Sequence, residues 1–276
     1  MKRDEAVLRE LNLYPLWVRR DGAETQAPAA VAPEHASPRN GVPVSATAEP
    51  PAPAAAASAA AQAPALAAAP AALPEPPPSA PVAGDPRAER IAALPWLELK
   101  TMVRDCTACR LRAGCTQTVF GVGDENADWL FVGEGPGADE DAKGEPFVGQ
   151  AGKLLDNMLL AIRLKRGQDV YIANIVKCRP PSNRAPEADE IATCIPYLER
   201  QIALIQPRII VALGKTAANA LLGREATLGS LRGKVHDYHG TPLIITYHPA
   251  YLLRTPHDKA KAWEDLKLAV KTASSR

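Results

Sequence analysis

The sequence has few aromatic residues and no long run of apolar ones. Aromatic side chains make up 5% of the 276 residues, although apolar residues as a group make up 46%. No apolar run approaches the ~20 residues that a membrane-spanning helix needs, so the sequence predicts no such helix. The first twenty residues, MKRDEAVLRELNLYPLWVRR, carry acids throughout and lack the apolar core of a secretory signal. We therefore expect a cytoplasmic protein.

Aromatic residues are missing altogether from residues 26–84, which also carry only four charged side chains and are rich in alanine and proline. Such a segment cannot bury enough apolar surface to offset the entropy lost on ordering. We predict a disordered Ala/Pro-rich linker over residues 21–85, between a short amphipathic helix over residues 1–20 and a folded domain over residues 86–276. The helix either docks on that domain or binds an unknown partner.

Charge is nearly balanced over the whole chain but not along it. The formal net charge is +1, with six Lys and Arg against nine Asp and Glu in residues 1–85, and 26 against 22 in residues 86–276. The positive domain is compatible with a polyanionic partner without requiring one. The sequence also lacks the motif G-x-x-x-x-G-K-[ST], which argues against a nucleotide triphosphatase.

Four short apolar segments alternate with segments of helical periodicity in the second half of the chain. The apolar segments are residues 128–133, 170–176, 208–213 and 243–246. Strands that are apolar on both faces and separated by helices predict a parallel sheet covered on both sides. We therefore predict a three-layer α/β/α fold with about four parallel strands, whose functional residues lie at the carboxyl ends of the strands.

The cysteines form an unusual pattern. Cys106 and Cys109 make a C-x2-C pair, and Cys178 and Cys194 follow after 68 and a further 15 intervening residues. Four thiolates can hold zinc or an iron–sulfur cluster. A structural zinc ribbon usually has two C-x2-C pairs, so one pair with two separated cysteines favours the larger cluster. Unrelated buried cysteines with a chance C-x2-C are the alternative.

Three residues near the predicted strand ends are candidates for a binding site. Phe147, in a glycine-rich segment, either anchors a loop in the core or stacks on a flat ligand. Asn174 lies in an apolar strand, where its amide either caps backbone groups or reads the edge of a ligand. His248 follows the fourth strand, where a histidine by itself is more often structural than catalytic.

Three motifs follow one another along the chain: GEGPG-x-x-ED-x-x-G-x-PFVG-x-AG, NIVKCRPP-x-NR and TYHPAYLLR. Together they resemble the family 4 uracil-DNA glycosylases, the iron–sulfur branch of the uracil-DNA glycosylase superfamily, from about Cys106 to Leu266. The resemblance implies a uracil-DNA glycosylase-like fold. It also implies an enzyme of base excision repair that hydrolyses the N-glycosidic bond between uracil and deoxyribose, releasing uracil and leaving an abasic site.

The resemblance implies a 4Fe-4S cluster as cofactor, and a fifth cysteine, Cys115, falls outside the ligand set. The implied metal ligands are Cys106, Cys109, Cys178 and Cys194. We expect the cluster to order this region of the domain beside the DNA, since hydrolysis of a glycosidic bond requires no electron transfer.

The resemblance also implies a uracil pocket. Phe147 would stack on the flipped-out pyrimidine, and Asn174 would pair with its Watson–Crick edge. Backbone groups near Glu134 and Gly135 would complete the pocket. A neutral His248 would stabilise the departing uracil anion by donating a hydrogen bond to O2. The catalytic residues would be Glu134, which would position the attacking water, and His248.

The chain segment after His248 resembles a loop that wedges into the duplex where the base has left, using Leu252, Leu253 and Arg254. Basic residues near the motifs are candidates for phosphate contacts, which make DNA binding salt-dependent. They are Lys177, Arg179, Arg184 and Arg254.

Several alternatives accompany this interpretation. Glu140 is a second candidate for positioning the water. One branch of the superfamily captures uracil covalently through a histidine, and residues 180–186 contain none, so we expect simple hydrolysis. Two other functions are alternatives. The first is a catalytically inactive iron–sulfur DNA-binding or polymerase-associated module, and the second is a glycosylase for another deaminated base. We expect a monofunctional, nucleoid-associated monomer that acts on single- or double-stranded uracil-containing DNA.

Overall fold

A computed structural model of the protein describes residues 85–275. The predicted N-terminal helix and almost all of the predicted linker lie outside these residues, so those two predictions and the domain boundaries derived from them stay predictions. The fold below is that of residues 85–275.

A six-stranded mixed sheet forms the centre of the fold, in the order β1-β3-β2-β4-β6-β5. Its strands are β1 (Val122–Gly123), β2 (Trp129–Gly133), β3 (Val170–Asn174), β4 (Ile209–Leu213), β5 (Val235–Tyr238) and β6 (Thr241–Thr246). The four central strands are parallel, which confirms the predicted parallel core. Both edge strands are antiparallel and were not predicted. β1 has only two residues, and β5 is mostly exposed, so neither carries an apolar signal.

Ten α-helices surround this sheet within the described residues, which also contain two short 3-10 helices, Pro181–Asn183 and Pro256–Asp258. The α-helices are α1 (Pro86–Ala92), α2 (Trp96–Arg104), α3 (Leu111–Gly114), α4 (Ala138–Lys143), α5 (Gln150–Ala161), α6 (Ala188–Ile205), α7 (Lys215–Leu222), α8 (Leu228–Leu231), α9 (Pro249–Arg254) and α10 (Lys259–Ser274). α4 interrupts the glycine-rich segment that the sequence analysis interpreted as a loop. None of the helices is long and apolar enough to cross a membrane.

Alternate residues of each central strand enter two separate cores, because successive side chains of a strand point to opposite faces. Leu130 and Val132 pack with α1, α2, α6 and α7 on one face, whereas Trp129 and Phe131 pack with α5, α9 and α10 on the other. All five residues of β2, β3 and β4 are buried. The predicted three-layer α/β/α arrangement is therefore confirmed.

The register of β2 and β3 brings the ends of both strands to one edge of the sheet. Gly133 pairs with Asn174 as the last residue of each strand. A Cβ atom on Gly133 would lie 2.4 Å from Asn174 Oδ1 and 2.6 Å from Phe147 Cζ. Only glycine leaves room here for both side chains, so the end of β2 determines how closely they approach.

Candidate functional site

A cleft of about 410 Å³ opens at the carboxyl ends of β2, β3 and β6. We call it the strand-end cleft. It brings together all five residues that the sequence analysis assigned to a pocket, although they come from three separate motifs. These are Glu134, Gly135, Phe147, Asn174 and His248. Among these five residues, the cleft therefore gathers an aromatic ring, an amide, an imidazole and a carboxylate from distant parts of the chain.

Asn174 presents an unpaired hydrogen-bond acceptor. Its side chain is only 2% exposed, and its Oδ1 atom has no hydrogen-bond partner. A buried polar atom left without a partner costs about 1–3 kcal/mol, so such atoms are rare unless a ligand supplies the missing donor. The backbone carbonyl of the same residue accepts a hydrogen bond from Lys177 Nζ at 2.9 Å. The amide is thus held by its backbone, while its side-chain oxygen is left for a ligand.

Phe147 forms a wall of the cleft from an uncommon backbone conformation. Its φ is 55°, in the left-handed region that aromatic residues seldom adopt. The ring centroid lies 5.5 Å from that of His248, with 31° between the planes. The following helix passes so close that a Cβ atom on Gly152 would lie 1.8 Å from the Phe147 carbonyl oxygen. The surrounding backbone therefore constrains the position of this ring.

Two charged side chains hold the backbone around Phe147. Glu140 accepts hydrogen bonds from the backbone N–H groups of Gly137, Val148 and Gly149, at 2.9–3.1 Å. Arg166 donates to the carbonyl oxygen of Phe147 at 2.8 Å. Both carboxylate oxygens of Glu140 accept hydrogen bonds from backbone N–H groups, so this residue shapes the loop. Glu140 is therefore less suited than Glu134 to hold a water.

His248 is held as a neutral imidazole. It caps the N-terminus of α9, where Nδ1 accepts a hydrogen bond from the Ala250 N–H at 3.2 Å. Burial lowers the pKa of His248 to about 4, and the positive charge of Arg254 acts in the same direction. Because Nδ1 is an acceptor, the proton of the neutral ring is on Nε2. The cleft therefore contains an uncharged imidazole donor at neutral pH.

Glu134 follows β2 directly and is half-buried in the cleft. Thr216, near the start of α7, donates a hydrogen bond from Oγ1 to Glu134 Oε2 at 2.5 Å. This contact fixes one carboxylate oxygen, and the other remains available to hold a water. The sequence analysis missed Thr216, since nothing in its local sequence connects it with a residue 82 positions earlier.

The four cysteines assigned as metal ligands line one narrow, apolar space, which we call the cysteine cavity. They are Cys106, Cys109, Cys178 and Cys194. Within residues 85–275, no three His, Cys, Asp or Glu side chains are arranged to hold a metal ion. A 4Fe-4S cluster binds one thiolate per iron atom, so its ligands surround a volume and do not converge on one point. The four thiols fit such a group in number and chemistry.

Positive and polar groups face the sulfur atoms of the cysteine cavity. Arg87 Nη2 lies 3.9 Å from Cys106 Sγ, and the backbone N–H of Lys177 donates to Cys194 Sγ at 3.3 Å. Such donors stabilise thiolates, the form in which cysteine binds metal. Cys115 is buried but does not line the cavity, and its thiol donates to the Arg112 carbonyl at 3.6 Å. Its thiol also lies against that of Cys178, so the exclusion of Cys115 from the ligand set stays a prediction of the resemblance.

The structure corrects the prediction for the wedge. Leu252 is 1% exposed and packs in the core with α5 and α10, so it is not presented to DNA. Leu253 is 43% exposed, and Arg254 lies beside it at the rim of the strand-end cleft. α9 is a helix, so neighbouring leucines point in different directions. Leu253 and Arg254 remain as the exposed tip.

The structure corrects one of the proposed phosphate contacts and shows the surroundings of another. Lys177 is 2% exposed, and its ammonium donates to Asn174 O and to Gln201 Oε1, so it does not reach the surface. Arg184 makes a two-pronged ion pair with the buried Glu190 carboxylate, at 2.7 and 2.8 Å. That guanidinium holds the pKa of Glu190 at about 2. Arg184 is thus engaged at the start of α6, but it also lines the strand-end cleft, so Arg179, Arg184 and Arg254 remain candidates.

Comparison with known proteins identifies the family. Residues 120–267 match the model of the uracil DNA glycosylase superfamily. The chain is 44% identical over 173 residues to the type-4 uracil-DNA glycosylase of Archaeoglobus fulgidus, covering 60% of this chain and 86% of that relative. It is 42% identical over 181 residues to the type-4 enzyme of Pyrobaculum aerophilum, covering 62% and 91%.

A third relative, the type-4 uracil-DNA glycosylase of Thermotoga maritima, is 44% identical over 171 residues, which cover 60% of this chain and 88% of the relative. The superfamily model thus spans more than half of this chain, and the matches span most of each relative. On this basis the chain belongs to the uracil DNA glycosylase superfamily, and within it to the type-4 enzymes.

Proposed function

We propose that this protein is a monofunctional uracil-DNA glycosylase, which hydrolyses the bond between uracil and deoxyribose and leaves an abasic site for base excision repair. The observation that carries this proposal is the unpaired, buried Oδ1 atom of Asn174, placed in one cleft with an aromatic ring and a neutral imidazole. These are the groups that a single flipped-out pyrimidine needs for its edge, its face and its departing charge.

The base enters the strand-end cleft only after it leaves the duplex stack. There the Phe147 ring packs on the face of the base, and Asn174 reads its edge. Oδ1 accepts the N3–H of uracil, and Nδ2 donates to O4. Cytosine presents a donor and an acceptor in the reverse order, so it would leave the buried amide oxygen unpaired. A site built on such a pair rejects the mismatched base strongly.

Cleavage of the C1′–N1 bond places negative charge on uracil as the sugar becomes cationic. His248 donates from Nε2 to O2 and stabilises that charge as it develops. A donor placed in this way is worth about 2.7–4 kcal/mol of transition-state stabilisation. A neutral imidazole suits this role, because its single N–H proton is on Nε2 and can be donated to O2, and the ring does not have to lose a proton before it acts.

Glu134 positions the water that attacks C1′ of the sugar. Thr216 holds one of its carboxylate oxygens, and the other binds the water in the half-buried part of the cleft. The negative charge of the carboxylate also favours the cationic sugar. No histidine lies in residues 180–186, and accordingly we expect hydrolysis and turnover without covalent capture of the base.

The four cysteines of the cysteine cavity would hold a 4Fe-4S cluster. Bound there, the cluster would tie the Cys106–Cys109 segment, the segment after β3 and α6 together beside the DNA-binding face. Its chemistry is structural, because base release is a hydrolysis. Four thiols around one cavity, with Arg87 near one sulfur, support this proposal.

Leu253 and Arg254 at the exposed end of α9 contact the DNA, with Leu253 as the wedge and Arg254 near a phosphate. We propose that the protein acts as a monomer, since the five residues assigned to uracil binding meet in one cleft of a single copy. We propose that this monomer acts on uracil-containing DNA at the nucleoid, where that substrate is found.

A base-release assay tests the function. Oligonucleotides that contain one uracil, hypoxanthine, xanthine or cytosine are incubated with the full chain, and the freed bases are measured. We expect release of uracil and an alkali-labile abasic site, with cytosine left intact. Preferential release of hypoxanthine or xanthine would identify a glycosylase for another deaminated base. Binding to DNA without release of any base would indicate an inactive module.

A further inference from the structure

Arg166 follows α5 by five residues and does not line the strand-end cleft. Its guanidinium makes three hydrogen bonds, two of which go to backbone carbonyls of the segment that carries Phe147. Nη1 donates to the Pro146 carbonyl at 2.8 Å, Nη2 donates to the Phe147 carbonyl at 2.8 Å, and Nε donates to Asp156 Oδ1 at 2.9 Å. The planar fork of an arginine suits two neighbouring acceptors, which a lysine cannot bind in the same geometry.

The two carbonyls belong to the peptide units on either side of Phe147. That residue has a φ of 55°, and a non-glycine residue keeps such a conformation only where its surroundings enforce it. Glu140 binds the N–H groups that follow Phe147, and Arg166 binds the carbonyls. With both peptide planes held, the direction of the Phe147 side chain is fixed as well.

We infer that Arg166 is a positioning residue that sets the Phe147 ring against the base, with Asp156 orienting the guanidinium. The inference rests on the stacking role proposed for Phe147. Without Arg166, the two carbonyls lose their shared donor and the ring can shift within the cleft. A displacement of about 1 Å in a reacting complex can cost up to ~10²-fold in rate. The cost falls on the step in which the base is held, not on the contacts with DNA.

The positioning role of Arg166 is tested by measuring the kinetics of Arg166→Met and Arg166→Lys in the full chain. We expect Arg166→Met to lower kcat by about 10-fold or more, and to weaken inhibition by free uracil to a similar degree. KM for the oligonucleotide should stay within about twofold, because Leu253 and Arg254 are unchanged. Arg166→Lys should recover part of the activity. Arg163→Met, at an exposed arginine three residues earlier, is the matched control and should behave as wild type.

A double-mutant cycle with Phe147→Ala shows whether Arg166 acts through the ring. Added to Phe147→Ala, the Arg166→Met change should cost less than about twofold, since the ring it positions is gone. A full additive loss would overturn the inference. So would an Arg166→Met or Arg166→Lys protein of lowered melting temperature whose kcat and uracil inhibition equal those of wild type.

The two proposals fail in different ways. Wild-type kinetics in Phe147→Ala would reject the stacking role itself. A defect in Phe147→Ala together with normal kinetics in both Arg166 variants would reject only the role of Arg166. If Arg166→Met does not fold, Arg166→Lys gives the same comparison with a smaller change in volume and charge.

Discussion

The strand-end cleft and the cysteine cavity both use the segment that follows β3, since Asn174 belongs to the first and Cys178 to the second. In the cleft, the buried Asn174 oxygen is left unpaired in a space of about 410 Å³. In the cysteine cavity, the sulfur atoms surround a narrow apolar space and receive hydrogen bonds from Arg87 and the Lys177 backbone. The cleft therefore has the volume for a ligand, whereas the cysteine cavity is narrow and lined by thiols.

Lys177 joins these two regions. Its ammonium binds the Asn174 carbonyl and Gln201, while its backbone N–H faces Cys194. Burial lowers the pKa of Lys177 to about 8, with the nearby Cys194 acting in the opposite direction. Three residues separate Asn174 from Cys178, so the proposed base-binding role of the first and the proposed structural role of the second should be separable by mutation.

The largest effect is expected from Asn174→Asp. A carboxylate has no hydrogen to donate to O4 of uracil, and its charge opposes that of the departing base, so uracil release should fall by about 10²–10³-fold. The melting temperature should fall as well, because the new carboxylate is buried without a partner, so uracil release is measured on protein whose circular dichroism matches that of wild type. Asn126→Asp, at an exposed asparagine before β2, is the control. Unchanged kinetics in Asn174→Asp would reject the edge-reading role.

A smaller effect on kcat is expected from Cys178→Ser, which should mainly lower stability and iron content. Loss of a cluster ligand should reduce iron content and lower the free energy of unfolding by more than about 2 kcal/mol. The kcat of the molecules that remain folded should change far less than in Asn174→Asp. Cys115→Ser should keep its iron, which anaerobic purification and iron and sulfide analysis will show. Stoichiometric zinc in the wild type, or equal iron loss in both variants, would contradict the ligand assignment.

The smallest effect concerns pH. Burial lowers the pKa of His248 from 6.5 to about 4, so the unfolded chain takes up this proton more readily than the folded one. The stability contributed by neutral His248 is therefore complete above pH 6.5 and is lost as the pH falls toward 4. An NMR titration, with the resonance assigned through His248→Gln, should show a midpoint near 4. A midpoint near 6.5 would show that burial does not hold the imidazole in its neutral form and would contradict the loss of stability expected between pH 6.5 and 4.

The four parallel strands were predictable because each is a short, continuous apolar run, and that signal depends only on neighbouring residues. The edge strands were not, since β1 is too short and β5 too exposed to carry it. The three motifs and the cysteine spacing likewise indicated which residues belong to the sites. They did not show that Leu252 is buried while Leu253 is exposed, because both leucines fit an apolar tip equally well.

Arg166 and Lys177 show the limit of sequence reasoning most clearly. Lysine and arginine side chains are usually solvated, so the sequence gives no reason to expect these two to be engaged inside the fold. Their roles are recognised only when their partners are known. Arg166 donates a hydrogen bond to the Phe147 carbonyl, 19 residues earlier in the chain, and Lys177 donates one to Gln201, 24 residues later. No local pattern encodes either pairing.

The sequence by itself determined the four parallel strands, the four thiols and the chemical groups available for binding a base, because these depend on residue type and short-range periodicity. Only the tertiary structure decided which of those groups is left unpaired, which nitrogen of His248 carries the proton and which leucine reaches the surface. Those properties depend on what the rest of the chain places within a few ångströms, and packing between distant segments settles that.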